Sequence, residues 1–175
     1  AEVKAITRRK DAFYLDIMPG YADHLLLDAP MIEAYLYNRI KAVVPGVMGV
    51  HMPVSGTARL HAYIQLRKSN DGEPKVAIAT ALSSDYRLKH VIVVDEDVDI
   101  FNLAEVLHAF ATRCHPARGV IIEERDTPSG LCPYLTSEEK QWGRGAGLLL
   151  DSTWPAHWST TMDIPPRVSF NEVYP

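Results

Sequence analysis

Four consecutive β-branched residues, met at once by a crowd of carboxylates and then a capped helix, leave this chain few ways to fold. They lie in KHVIVVDEDVDIFNLAEVLHAFATRCHP, Lys89 to Pro116. Val91 to Val94 reads as a strand covered on both faces. Asp95, Glu96, Asp97 and Asp99 follow at its carboxyl end, where open α/β sheets place their crevices. Asn102 is placed to cap the next helix, with Glu105 three positions on to complete a capping box. Leu103, Val106, Leu107, Phe110 and Ala111 give that helix an apolar face, and Pro116 ends it, with Arg113 and His115 near its negative end.

The rest of the chain supplies the elements such a strand needs around it. Asp28 and Pro30 begin a helix over Ala29 to Val44, striped by Ile32, Tyr35, Leu36, Ile40 and Val43 and stopped by Pro45-Gly46. Val47 to Pro53 and Thr57 to Leu66 are strands joined by Val54-Ser55-Gly56, a tight antiparallel connection. The alternation in the second of them leaves a polar face on which His51, Arg59 and His61 could meet. Pro74 opens a short helix to about Leu82, Gly119 to Glu124 is a strand, and Gly145 to Leu150 is another, closed by Asp151-Ser152-Thr153. Glu2 to Thr7 alternates like a strand entering from outside, and the apolar Phe13 to Met18 must be buried here or against another chain. Strands separated by helices, with one hairpin, predict a single-domain, mixed-sheet α/β sandwich. The expected divisions are an entering strand and apolar lead-in over 1–28, an α/β core over 29–153, and an extended Pro- and aromatic-rich arm over 154–175.

Composition narrows the function classes. With 47% hydrophobic and 23% charged residues the chain has the make-up of a soluble globular domain. A formal charge of −4 offers no general field for nucleic acid, and no apolar run is long enough for a membrane span. Cys114 and Cys132 fall in different elements, so no disulfide framework is expected. With an opening segment that is mixed and charged, this favours the cytoplasm. Asp95, Asp97 and Asp99 could present oxygens to a hard cation such as Mg²⁺, which would make a metal-dependent enzyme; equally, they could serve the positive end of the helix that follows. No phosphate-cradling or serine-hydrolase motif occurs, and the residues alone supply no complete catalytic set.

Four stretches taken together resemble the UbiD family of prenylated-flavin-dependent (de)carboxylases: the Lys89 to Pro116 segment, RRKDAFYLDIMPG (Arg8 to Gly20), VPGVMGVHMPVSGT (Val44 to Thr57) and GLLLDSTWP (Gly147 to Pro155). All belong to the carboxyl-terminal α/β domain of that family, which mediates dimer and higher assembly. The resemblance implies a flavin-binding amino-terminal domain or subunit as partner, and a homo-oligomer. It places prenylated FMN, a divalent metal, potassium and the catalytic residues on that partner, with none on this chain. This chain is then either a fragment or a subunit completed by another polypeptide, part of a carboxy-lyase but inactive by itself. The reaction implied is reversible, non-oxidative decarboxylation of an aromatic or α,β-unsaturated acid. By motif position the substrate-facing side chains are Phe13, Tyr14, His108, Phe110, Arg113, Thr153 and Trp154. His108 stands where the family commonly places tryptophan, and the segment from Gly130 to Glu139 follows the family pattern only loosely. The competing expectation, from a different class, is a non-catalytic assembly module.

Overall fold

Strand β3, His90–Asp95, lies at the centre of a five-stranded sheet and is buried from Val91 to its end. The structure, a computed structural model, describes residues 2–125, 133–143 and 145–156. On one side β3 pairs in parallel with β2 (His61–Leu66), and on the other with β5 (Gly145–Ser152). Antiparallel strands close both edges, β1 (Val47–His51) beside β2 and β4 (Val120–Arg125) beside β5, so the order is β1-β2-β3-β5-β4. This is the mixed α/β sheet that the sequence predicts.

The two faces of the sheet are filled by alternate residues. Val91 and Val93, with Ala62, Ile64, Leu66 and Leu149, pack against Leu36 and Ile40 of helix α2 (Ala29–Lys41) and against Ala77, Ile78, Ala81 and Leu82 of α3 (Glu73–Ser84). Ile92 and Val94, with Tyr63 and Leu150, pack on the opposite face against Val106 and Ala109 of α4 (Leu103–Arg113). Two short helices, α1 (Ala22–Leu25) before α2 and α5 (Ser137–Trp142) before β5, complete the described α-helices.

Several local expectations give way. Glu2 to Thr7 joins no ladder, because six alternating residues have no partner strand among the described residues. The Phe13 to Met18 segment is not buried in this chain, and Phe13, Tyr14 and Leu15 are about nine-tenths exposed. Asp28 precedes α2 but makes no capping bond; its carboxylate instead accepts from Arg59 and Arg87 at 3.2 and 3.4 Å. Tyr35 and Val43, expected on the inward stripe of α2, are about half exposed. Between β1 and β2 the chain makes a 3₁₀ turn, Val54–Gly56, and then carries Thr57 and Ala58 through positive φ, so β2 starts only at His61. Two successive left-handed non-glycine residues are costly. Here the Gly56 and Ala58 amides both donate to the Pro53 carbonyl, at 2.9 Å each, and hold the turn. The polar face expected on β2 is interrupted by Tyr63, which is buried. The aromatic arm beyond Ala156 and residues 126–132, Cys132 among them, lie outside the described residues.

The parallel register sets His61 opposite His90, and their rings share a bond of 2.8 Å between Nε2 and Nδ1. One ring donates and the other accepts, so the bond is lost once both are protonated. Burial lowers both rings; Lys89 lowers His61 further, and His61 and Lys89 add to the effect on His90, which is pushed down to about 4. The sign follows directly. A folded value below the ordinary 6.5 means the unfolded chain binds these protons first, so stability is full above about pH 6.5 and falls as pH drops toward 4. Denaturant midpoints for wild type should decline through that window, and His90→Asn should flatten the decline. An unchanged slope in the variant would remove the pair as its source. On the other face, Leu66→Ala empties a fully buried position between sheet and helices and should cost about 2–5 kcal/mol in urea unfolding.

Candidate functional site

Strands β2, β3 and β5 run parallel, so their carboxyl ends deliver side chains to one edge of the sheet. From β3 comes Asp95, buried; from just past β2 come Lys68 and Asp71; from the end of β5 come Asp151, Thr153 and Trp154. Helix α4 adds Arg113 in its last turn.

Arg113 is the hub. Its Nη1 donates to Asp95 Oδ2 at 3.0 Å and to Asp97 Oδ1 at 2.9 Å, and its Nη2 donates to Asp97 Oδ2 at 2.9 Å. The backbone N–H of Trp154 donates to the same Asp95 oxygen at 2.9 Å, and the guanidinium lies 5.4 Å from the Trp154 ring. Burial pushes the Asp95 carboxyl above its usual range, against the pull of the Trp154 N–H and the charges of Arg113 and Lys68. Burial works to lower Arg113 as well, but Asp97 and Asp95 reverse it and keep the guanidinium charged. The turn between β3 and α4 is fixed by Gln65, whose Nε2 donates to the Glu96 and Val98 carbonyls at 3.1 and 2.9 Å.

A second polar cluster adjoins the first. Lys68 Nζ donates to Thr153 Oγ1 at 2.8 Å and to Asp71 Oδ1 at 3.0 Å. The Thr153 hydroxyl donates to Asp151 Oδ1 at 2.7 Å, and the Ala156 N–H donates to Asp71 Oδ1 at 2.8 Å. Gly119 is required here: a Cβ would come within 2.6 Å of the Asp151 carbonyl oxygen. These groups line an open pocket of about 250 Å³, bounded by Lys68, Lys75, Arg113, Arg118, Asp151 and Thr153.

Of the seven side chains expected to face a substrate, the structure brings together Arg113, Thr153 and Trp154. Phe13 and Tyr14 lie on the exposed amino-terminal segment, and His108 and Phe110 on the exposed side of α4. The acidic turn is not gathered for a cation: Asp95 and Asp97 share Arg113, while Asp99 Oδ1 accepts the Phe101 N–H at 2.9 Å. Among the described residues no group of three or more His, Cys, Asp or Glu is placed to hold a metal ion. Asn102 caps α4 through the Ala104 N–H, and Glu105 reaches back to the Asp99 N–H and to the Asn102 side-chain amide. Nor do His51, Arg59 and His61 converge. His51 bonds Glu33 at 2.9 Å, Arg59 bonds Asp28 and His61 bonds His90. Sequence reasoning missed Lys68 and Asp71; their place just past a strand, at the same sheet edge as Asp95, was the available signal.

Residues 26–151 match the family model described as the 3-octaprenyl-4-hydroxybenzoate carboxy-lyase C-terminal domain. The anhydromevalonate phosphate decarboxylase of Methanothermobacter thermautotrophicus is 37% identical over 125 residues, which are 71% of this chain and 30% of that protein. Gallate decarboxylase of Lactiplantibacillus plantarum is 28% identical over 163 residues, 88% of this chain and 33% of that one. The UbiD-class enzyme HmfF from Pelotomaculum thermopropionicum, in complex with FMN, superposes with a TM-score of 0.72 at 34% identity over 84% of this chain and 32% of its own. An evolved dimeric form of that enzyme, in complex with prFMN, superposes with a TM-score of 0.64 at 32% identity over 86% and 31%. The chain thus spans about a third of the length of the curated relatives it matches. Among the described residues no helix is long and apolar enough to cross a membrane.

Truncating the hub tests its weight. Arg113→Ala leaves the buried Asp95 carboxylate without its cation and should cost about 3–5 kcal/mol in urea unfolding. Arg113→Lys keeps the charge but not the fork that spans two carboxylates, and should recover less than half of that. A loss under about 1 kcal/mol for Arg113→Ala would mean the cluster is solvated and holds nothing.

Proposed function

Because the chain belongs to the UbiD family, carrying its carboxyl-terminal domain over residues 26–151, we propose that it caps the substrate site and mediates oligomerisation in a UbiD-like decarboxylase. The whole enzyme acts reversibly and non-oxidatively on an aromatic or α,β-unsaturated carboxylic acid in the cytoplasm. The observation that carries this reading is the family match across nearly the whole sheet, in a chain that spans about a third of the length of decarboxylases it resembles. An aromatic acid substrate is supported by the gallate decarboxylase likeness.

The partner is a flavin-binding domain or subunit, and the assembly is a dimer or larger, in keeping with the dimeric, prFMN-bound form of HmfF. Prenylated FMN, with a divalent metal and potassium, is assigned to that partner. The described residues do not fit the group: the pocket of about 250 Å³ is lined by Lys68, Lys75, Arg113 and Arg118 with Asp71 and Asp151, and no metal-ligating cluster is present among the described residues. Capping draws its support from uncovered apolar surface. Leu103, Leu107 and Phe110 recur at i, i+4 and i+7 along α4 and are all exposed, as are Phe13 and Tyr14. In this reading Phe13, Tyr14, His108 and Phe110 wall the substrate. Arg113, Thr153 and Trp154 hold the end of β5 in register beside it, so Arg113 acts as a positioning residue.

The same apolar surface also favours a second reading, a non-catalytic assembly module. Mixing the chain with a UbiD-family flavin domain separates the two. The mixture should bind prenylated flavin and release carbon dioxide from an unsaturated acid, and neither component should do so alone. If no combination does either while light scattering shows a stable homo-oligomer, the module reading stands instead. Leu107→Glu, at an exposed position that leaves the core intact, should weaken association at least tenfold by sedimentation without lowering the melting temperature.

A further inference from the structure

The outer face of helix α2 is uncovered among the described residues. Leu36 and Ile40 turn inward to the sheet. Leu27, just before the helix, Met31 and Tyr35 are all exposed, Met31 with 70% of its surface open. Ala34 and Asn38, also exposed, fill the space beside them. Between Asp28 and Arg39 the only charged residue is Glu33. Its Oε1 accepts the Met52 N–H at 2.7 Å and bonds His51 Nδ1 at 2.9 Å, so it belongs to the seam with β1 and not to the outer face. A surface helix that packs on its own domain alone carries charges there. This face lies across the sheet from α4, so it does not continue the stripe of Leu103, Leu107 and Phe110.

The residues that flank the face point to its occupant. Asp23, Leu27, Met31, Tyr35 and Arg39 recur every four positions and form one ridge. Helix α1, which holds Asp23, leads into α2 through a short turn in which Leu26 and Asp28 keep right-handed helical dihedrals. The ridge is therefore acidic before its apolar centre and basic after it, and its spacing is symmetric about Met31. Leu27 and Tyr35 lie four positions to either side, Asp23 and Arg39 eight. Both charged residues are exposed. Reversing such a ridge upon itself sets apolar against apolar and acid against base, and it also opposes the two helix dipoles. A face complementary to its own reverse fits a second copy of the same chain.

We propose that α2 pairs with α2 of a second copy, antiparallel about a two-fold axis through Met31. Leu27 then meets Tyr35 of the other copy, and Asp23 meets its Arg39, each contact occurring twice. Such an interface closes at two copies and leaves α4 of both open on the far side of the sheet. The inference rests on the assembly part of the reading above and makes no use of the flavin.

Sedimentation of the 175-residue chain carrying Leu107→Glu, which disables association through α4, tests it. A monomer–dimer equilibrium is expected. Met31→Glu brings two carboxylates together on the axis and should weaken that equilibrium by more than about tenfold, without lowering the melting temperature. Asp23→Arg and Arg39→Asp should each weaken it about fivefold, and the two combined should restore it. Under mild oxidation Met31→Cys should link two copies, whereas Asn38→Cys, on the same face but off the axis, should link no more than the parent chain. A dimer that survives Met31→Glu, charge reversals that add instead of cancelling, or equal linking by the two cysteine variants would overturn the pairing. So would a chain that stays monomeric at every concentration, the outcome expected if a flavin domain covers α2. Flavin binding is not part of the readout, so its failure in the mixing experiment counts against the decarboxylase reading alone.

Discussion

The fork of Arg113, held between Asp95 and Asp97, is the interaction on which the carboxyl edge of this sheet depends. Asp95 ends the central strand, Arg113 ends helix α4, and the Trp154 N–H that shares the Asp95 carboxylate follows the end of β5. Three elements thus meet on one oxygen. Desolvating two charges is expensive, and the pair regains that cost only because both partners are hydrogen-bonded in a fixed geometry. Its contribution is best understood as position. An apolar trio of similar volume could pack as well, but would not fix where the segment from Thr153 to Ala156 leaves the sheet.

The direction of the strands explains why the polar residues collect where they do. Three parallel strands end at the same edge, so the residues immediately beyond them are neighbours although they are far apart in the chain. Lys68 and Thr153 meet across 85 positions, and Asp95 and Trp154 across 59. The sheet supplies rigidity and the loops supply chemistry, the usual division of labour in open α/β folds. The other end of the same strands carries a different device. There the β2–β3 register presses two histidine rings together, with charge disfavoured on both.

What was legible in the sequence was what local pattern determines. The β-branched run of β3, the helical periods of α3 and α4, the Asn102 cap and the antiparallel β1–β2 pair all appear where expected. Failures came where a long-range partner wins over a local preference. Asp28 looks like a helix cap, yet two arginines from later in the chain take its carboxylate. The helix over Ser137–Trp142 is too short to show an apolar stripe, although Thr136 and Glu139 form the capping box that its sequence advertises. The site was the least legible part. That Arg113 belongs with the acidic turn follows from helix α4 folding back across the sheet, which no spacing rule reveals. Thr153 and Trp154 were reached through family likeness and not from their own chemistry.

Helix α4 presents two unlike faces. It reads as apolar over much of its surface, but only Val106 and Ala109 are buried against the sheet, while Leu103, Leu107 and Phe110 line an open side and Phe101 precedes them, exposed. A surface helix that served this domain alone would carry polar residues there. Covering a large apolar side chain returns about 1.5–3 kcal/mol, so this stripe offers several kcal/mol that packing among the described residues leaves unused. Association must first offset the loss of translational and rotational freedom, and a row of closely spaced apolar side chains is the kind of surface that can. On the reading proposed above, the uncovered half of α4 serves the assembly, while the buried half serves the domain.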